Sequence, residues 1–575
     1  MNDALLFILL AIFFVGIIVV VVNIKKKSAF KKLISKLEGR WGKNPLLFES
    51  KTEKFKMRSN VSGYFNNIKD SIGESGVIDD ITWADLEIDS VFQRLNNTLS
   101  TVGEQYFYYL LRKPVTECQS LIERNRVIEF FQNNQKSRLC IQVLLAKLDK
   151  LENTDITNYF LNGFRNSNYK GTYYKLLAAG FAISPFLMLL NLPLGLFTTI
   201  GFFIINMTVH NNKTYEIESH LEAFNYITNL IDCADKISNL QINEINLYCK
   251  NLKSSLKNLK GIVSRSFLVL YRSQDPFLEY IKVIFLGELI AYEGMFKLIL
   301  KYRNNLLEIF EIVGLMDSLI SIASYRESIQ YYSIPELYDY TQSKKLNITL
   351  ISSNPQIDFE DIYHPLLKEP VSNSLHIDKS TLVTGSNASG KSTFLKTVAI
   401  NAIFAQTIYT CLAKKYISNY FRILTSMAVK DDLLSGESYY IVEIKSVKRI
   451  IDSINENIPC LFIIDEVLRG TNTIERIAAS SEILNYLSRN NCLTIAATHD
   501  LELAYILKNQ FDNYHFQEYI TDSDIIFDYK IHPGISRTRN AIKLLKIMGY
   551  KDTIVESAEA RAKYFIENGK WEQIK

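Results

Sequence analysis

Hydrophobic and polar positions divide the chain into unlike stretches. Ala4 to Val22 holds no charged residue. At ~1.5 Å per residue a helix of that length spans about 28 Å, close to the hydrocarbon thickness of a bilayer. Lys25, Lys26 and Lys27 follow it, whereas only Asp3 and the amino terminus precede it. A cleaved signal would want a basic leader and a small-residue cleavage site. The observed flanks instead predict a retained anchor over 1–24, with the N-terminus outside and the rest in the cytoplasm. A second apolar region lies between Lys175 and Lys213 and contains no Asp, Glu, Lys or Arg. There "LLAAGFAISPFLMLL" and "LGLFTTIGFFIINMTV" flank Asn191-Leu192-Pro193, a turn signal. Runs of this length also occur as buried helical hairpins of soluble cores. Two adjacent runs, almost wholly apolar and flanked by lysines, favour a membrane hairpin over 174–210 with both ends inside. The expectation is a multi-pass protein of the cytoplasmic membrane with three spans.

Towards the C-terminus the pattern changes. Short apolar runs, "STLVTG", "CLFIIDE" and "LTIAATHD", read as buried strands, and "KSTFLKTVAINAIFAQ" has helical periodicity. Strands that alternate with helices predict an α/β domain with a mostly parallel sheet, from about residue 346 to 575. Residues 25–80 read as a polar cytoplasmic linker.

Composition narrows the picture a little. The chain of 575 residues is 47% hydrophobic and carries a net charge of +4, so no global field argues for nucleic acid. The seven cysteines, Cys118, Cys140, Cys233, Cys249, Cys411, Cys460 and Cys492, show no CxxC spacing. Neither zinc nor a disulfide framework is expected.

The chemistry concentrates late in the chain. Gly385-Ser386-Asn387-Ala388-Ser389-Gly390-Lys391-Ser392 fits G-x4-G-K-[ST], followed by Thr393, between a predicted strand and a predicted helix. Glycines let successive backbone N–H groups and a helix N-terminus face phosphates. Lys391 would reach the β- and γ-phosphates of ATP, and Ser392 would ligate Mg²⁺. "CLFIIDE" ends in two carboxylates, as a parallel strand presents them at its C-terminal edge. Asp465 suits the Mg²⁺ shell and Glu466 suits water activation. His499, at the end of "LTIAATHD", would sense the γ-phosphate or position the water. Ser435-Gly436-Glu437-Ser438 opens a further helical pattern, with Ser435 as its N-cap. It resembles the signature segment of ATP-binding-cassette-type ATPases, where Ser438 would complete a partner's site. That resemblance implies a head-to-tail dimer with nucleotide between the subunits.

Taken together, the C-terminal third resembles the MutS family of DNA mismatch-repair ATPases. "VTGSNASGKSTFLKTVA" is similar to its phosphate loop and "DDLLSGESYYIVEI" to its signature segment. "FIIDEVLRGTNT" is similar to its Asp-Glu strand, and "ATHDLEL" to its histidine switch. "YHPLL" at Tyr363–Leu367 and Asn373 match the approach to the site. Upstream, "DSVFQRLNNTLSTVGEQYFYYLLRKP" and "VGLMDSLISIASY" resemble the start of the helical core and the end of the lever helices. The resemblance implies an all-α core and lever over 81–345, interrupted by the apolar hairpin, ahead of a P-loop ATPase. It also implies ATP and Mg²⁺ as ligands, a homodimer, and lever movements driven by ATP. Departures bear on function. The family's lesion-reading domain has no counterpart in the first eighty residues, and Phe277-Leu278-Glu279, which matches its Phe-x-Glu tripeptide, lies in a helical stretch and is read as coincidence. Leu468 replaces a glycine before Arg469.

One surface could carry the output. Lys250, Lys253, Lys257 and Lys260 recur at helical spacing, beside Leu252, Leu256 and Leu259, and Arg265 and Arg272 follow. The stripe could track DNA phosphates, lie on an anionic leaflet, or be a solvated face. The functional expectation is a membrane-anchored ATPase that couples its cycle to binding matched, mismatched or branched DNA. The alternative is an ATP-driven clamp on a protein or lipid partner. A transporter is disfavoured, because three spans make a poor translocation path.

Overall fold

The computed structural model describes residues 2–48, 57–73, 76–161, 171–270, 276–339, 355–386, 389–427, 439–454, 457–520, 525–535 and 541–574. They form two compact units. One comprises Met1–Gly73, Phe92–Arg112 and Ile122–Ile329; the other takes in Glu74–Val91, Lys113–Leu121 and Gln330–Lys575.

The first unit is helical. Its centre is the Arg303–Glu327 helix, which lies along the Thr101–Arg112 helix. The two axes approach closely because glycines face the neighbour at the crossing. A Cβ on Gly314 would stand 2.7 Å from the Tyr106 Cβ, and one on Gly103 would stand 2.1 Å from an Asp317 carboxylate oxygen. Asp317 is fully buried. Its carboxylate accepts hydrogen bonds from Leu99 N at 3.0 Å and from Ser100 N and Oγ at 2.9 and 2.6 Å. These donors lie just ahead of the Thr101–Arg112 helix, where backbone N–H groups have no partner within the helix. Ser321 continues the seam: its hydroxyl accepts from Asn97 N and donates to Leu95 O.

The apolar hairpin belongs to the same unit. Its first arm is the Gly171–Ile183 helix with a 3-10 continuation, Ser184–Leu189, that has Pro185 in its first turn. Asn191 then caps the second arm by accepting from Leu194 N at 3.2 Å, so the chain reverses at Leu190–Asn191, and Leu192 and Pro193, expected from sequence as part of the turn, open the second arm instead. The arms touch through glycines: a Cβ on Gly180 would meet the Phe202 ring at 2.5 Å, and one on Gly195 the Met188 backbone N at 2.3 Å. Small residues at a helix contact are the usual means of close approach between apolar helices. Only 11% of each arm is buried, and Phe186, Leu189, Leu190 and Phe197 project outward. The pair is therefore not a core hairpin of this unit. The second arm does not stop at the apolar segment but runs on as one helix, Leu192–Ser238, of 47 residues. It is tied to its neighbours where the apolar stretch ends. Asn206, fully buried, donates to Ile284 O at 2.8 Å, and His210 Nε2 lies 3.3 Å from a Glu288 oxygen. The N-terminal run forms part of the Asn2–Arg40 helix.

The second unit is α/β. A six-stranded sheet has the order β10-β9-β4-β8-β7-β6. Its strands are β4 Thr381–Thr384, β6 Arg422–Ser426, β7 Cys460–Asp465, β8 Cys492–Thr498, β9 Asp512–Ile520 and β10 Ile525–Pro533. All neighbours are parallel except the β9–β10 edge pair. β4, β7 and β8 are buried at nearly every position, as parallel strands are when helices cover both faces of the sheet. A smaller sheet comprises β1 Glu336–Tyr338, β2 Ile357–Ile362, β3 Asn373–Ile377 and β5 Lys415–Asn419 in the order β1-β5-β2-β3, with β5 falling between β4 and β6 in the chain. The Asp80–Asp85 helix belongs to this unit through Asp85, which accepts from Thr425 Oγ1 at 2.6 Å and Met427 N at 3.0 Å at the end of β6.

Burial pushes the Asp317 carboxyl up from 3.8 to about 6, against the opposing pull of its hydrogen bonds. The folded state then holds the extra proton between those values, so this group's contribution to stability falls as pH rises from about 4 through 6. Asp317→Asn should flatten that slope in thermal melts of the detergent-solubilised chain. Asp317→Ala strands three buried donors and should cost about 3 kcal/mol, and Gly103→Ala about 2 kcal/mol or more.

Candidate functional site

The parallel sheet sets the site by register. β4 pairs with β8 so that Thr384 stands opposite Thr498, and β8 pairs with β7 so that Ala497 stands opposite Asp465. The three strands end at one level, and the residues that follow each of them meet there. Ligands of open parallel sheets bind outside these C-terminal ends.

The loop after β4 turns at Gly385, with φ +142°, and Gly390, with φ +102°, before the Lys391–Thr407 helix. A side chain does not fit at Gly385: its Cβ would lie 3.0 Å from both Phe516 O and Ser389 Oγ. Lys391, 1% exposed, sends its ammonium into the loop, where it donates to Gly385 O at 2.6 Å and Ser386 O at 2.8 Å. Burial lowers this lysine to about 8, against the opposing pull of Asp465, Glu466 and Glu518. Ser392 Oγ donates to Asp465 Oδ2 at 2.5 Å, and Ser386 Oγ to Glu518 Oε2 at 2.7 Å. Burial raises the Asp465 carboxyl, and the Ser392 bond opposes the shift.

Glu466 follows β7 in the left-handed region, with φ +60°, and its N–H donates to Ala497 O at 2.9 Å. That kink turns its side chain toward the end of β8. One carboxylate oxygen lies 2.6 Å from His499 Nε2 and the other 3.1 Å from Arg469 Nε. The His499 hydrogen bond is the main reason this carboxyl sits below the ordinary glutamate value. The turn beside His499 is braced by Arg476, which donates to both Asp500 oxygens at 2.9 and 2.7 Å.

Beside the loop a cavity of 350 Å³ opens, lined by His364, Val371, Asn373, Gly390, Thr393 and Tyr529 among others. Tyr529, with φ +52°, sits where the β9–β10 register shifts between Phe527 and Ile531. Asn373 holds that bulge by donating to Tyr529 O at 3.1 Å and accepting from Ile531 N at 2.8 Å. Burial keeps His364 neutral, at about 4.

The structure thus gathers Gly385, Ser386, Ser389, Gly390, Lys391, Ser392, Asp465, Glu466 and His499 at one sheet edge, with Thr393 on the cavity wall. Asn387, Ala388, Ser435, Gly436 and Ser438 lie outside the described residues. Glu518, Tyr529 and Arg476 carry no local signature. Only the alternation of side chains along β9 hints that Glu518 faces the loop.

The lysine stripe needs a correction. Lys250 to Lys260 do not lie on one helix: Asn246–Leu256 and Lys260–Leu270 are separate helices with a turn between them. The turn lets Leu259 and Ile262 both bury fully. All four lysines are exposed. Cys249 Sγ donates to Ile237 O at 3.5 Å, which puts the Asn246–Leu256 helix beside the far end of the Leu192–Ser238 helix. Ile237 lies about 36 Å along that helix from Lys213, where the apolar arm ends. Lys250 and Lys253 therefore lie beside the end of the long helix opposite its apolar arm. Phe277-Leu278-Glu279 falls within the Pro276–Ile284 helix.

The unit is a mixed α/β domain with a glycine loop, a hydroxyl–carboxylate pair and a histidine-bound glutamate at one edge of a parallel sheet. A family model described as MutS domain V matches residues 381–565. The DNA mismatch repair protein MutS of Thermotoga maritima is 29% identical over 269 residues, covering 45% of this chain and 32% of that relative. For MutS protein homolog 4 of Homo sapiens the figures are 28% over 282 residues, 45% and 28%. The corresponding protein of Streptococcus pyogenes serotype M1 is 29% identical over 266 residues, 45% and 30%. The chain thus spans about a third of the length of the curated relatives it matches. Residues 381–565 thus form a domain of the MutS domain V family.

A lysine lowered to about 8 on folding binds fewer protons than the unfolded chain up to the ordinary value of 10.5. Stability from this group should therefore rise as pH goes from 8 toward 10.5. Melting temperatures across that range should show the rise in the native chain and lose it in Lys391→Met.

Proposed function

We propose that the chain is a membrane-anchored MutS-family ATPase that couples ATP hydrolysis in a composite dimer site to DNA binding. The observation that carries this reading is the meeting of Lys391, the Ser392–Asp465 pair and the Glu466–His499 pair at one sheet edge. The loop amides and Lys391 would cradle the phosphates, and the cavity beside Tyr529 has room for the base. Ser392 and Asp465 supply two oxygens 2.5 Å apart. That is the small oxygen-only donor set by which Mg²⁺ is held together with nucleotide phosphates. Bound there, Mg²⁺ would neutralise charge on the transferring phosphoryl group. Glu466, kept ionised by His499, orients the attacking water, and the two residues fix each other's direction. Ser435, Gly436 and Ser438 would complete the partner's site in a homodimer.

The anchor over 1–24 and the hairpin over 174–210 hold the protein in the cytoplasmic membrane, with the ATPase in the cytoplasm and the N-terminus outside. The exposed lysines at the far end of the long helix favour a polyanion in solution over a lipid surface. DNA, matched, mismatched or branched, is the occupant that the relatives' names suggest. A second reading, a clamp on a protein or lipid partner, draws on the outward-facing apolar hairpin.

The full chain in nanodiscs decides between them. ATP turnover is expected, with Glu466→Gln slowing it at least a hundredfold while nucleotide still binds. DNA affinity should depend on nucleotide and fall steeply between low and physiological salt. Turnover without affinity for any duplex would leave the clamp reading standing. No turnover would overturn the ATPase. Above pH 8, where free Lys391 loses its proton, ATP binding should weaken toward tenfold per pH unit.

A further inference from the structure

Two consecutive features of the segment after β7 demand an explanation. Glu466 and Leu468 both hold left-handed backbone, φ +60° and +57°, without being glycine. Such conformations persist only when the surroundings over-determine them. Part of the restraint comes from Glu443, one turn into the Tyr439–Asp452 helix and 5% exposed. Its carboxylate accepts from two successive backbone N–H groups, Arg469 N at 2.8 Å and Gly470 N at 3.3 Å. A buried carboxylate that grips adjacent amides fixes the peptide between them as well as its own position. The residue so fixed is Arg469, whose guanidinium holds the Glu466 oxygen that His499 does not. The seam continues at Ser480, which donates to Val467 O at 3.0 Å.

We propose that Glu443 is a positioning residue for hydrolysis. It locks Arg469 and thereby the rotamer of Glu466, so that the angle at which Glu466 meets water depends on where the Tyr439–Asp452 helix stands. Glu443 acts through the backbone amides that it grips, and so positions Glu466 without being a catalytic residue. The inference rests on the ATPase reading above.

The test uses the full chain in nanodiscs and compares Glu443→Ala, Glu443→Gln, Arg469→Ala and the Glu443→Ala/Arg469→Ala double variant, with Glu466→Gln as the inactive reference. Glu443→Ala should lower kcat about tenfold or more, with KM for ATP within about twofold of the native value. Glu443→Gln keeps an oxygen for Arg469 N and should recover part of the loss. Because both residues act through one contact, Glu443→Ala should add little to Arg469→Ala, a coupling that general destabilisation would not produce. Native kcat in both Glu443 variants, or fully additive losses in the double variant, would overturn the role of Glu443 while the ATPase stands. If Glu443→Ala does not fold, the near-isosteric Gln variant decides: a lowered kcat at constant KM supports the role, and native kcat overturns it. Absence of turnover in the native chain removes both the proposed function and this role.

Discussion

Burying an ammonium is the constraint around which the α/β unit is arranged. Lys391 is almost sealed from water, and water is what normally stabilises a charge. Two loop carbonyls replace part of the lost solvation, and three carboxylates stand near enough to favour the charged form. Those carboxylates come from distant points of the chain: Asp465 and Glu466 follow β7, and Glu518 lies on β9. Only the strand order that sets β4 between β8 and β9 brings them together. The compensation is incomplete, as the lowered lysine value shows. What the lysine lacks is solvation and not negative charge, since three carboxylates already face one ammonium.

The helical unit solves the converse problem, a buried carboxylate. Asp317 is satisfied by the N–H groups and hydroxyl at the start of a helix, whose partial positive charge suits an anion. The cost of burial still raises its value. In both units a desolvated charge ties together separate segments, Leu99–Ser100 with Asp317 and Lys391 with Asp465 and Glu518, and glycines at Gly103, Gly314 and Gly385 clear the space for it.

What the sequence disclosed, and what it hid, follows from the range of the forces involved. Local patterns were legible: "STLVTG", "CLFIIDE" and "LTIAATHD" contain strands, their polar ends converge, and the apolar hairpin reverses at Asn191, although Leu192 and Pro193 already belong to its second helix. Side chains that act on residues far along the chain left no pattern. Glu443 looks like a surface helix residue until Arg469 and Gly470 are folded onto it. The bulge at Tyr529 depends on Asn373, across sheets, and the docking of Asp80–Asp85 depends on Thr425. The lysine stripe misled because no glycine or proline marks the turn after Leu256. Burial of Leu259 and Ile262 makes that turn, and periodicity alone cannot see which leucine the core will claim.

The helix that leaves the apolar hairpin deserves to be read as a machine part. Leu192–Ser238 is unbroken for 47 residues, about 70 Å of stiff rod. Asn206 and His210 tie it near one third of its length, and beyond them Phe224, Ile227, Leu230 and Ile237 are buried in the unit. The rod is thus clamped along its polar two thirds and exposed along its apolar third, which makes it a cantilever. Only the apolar end is free to deflect: a tilt of about 10° there sweeps the tip through roughly 4 Å, while the surface that carries Lys250 and Lys253 stays put.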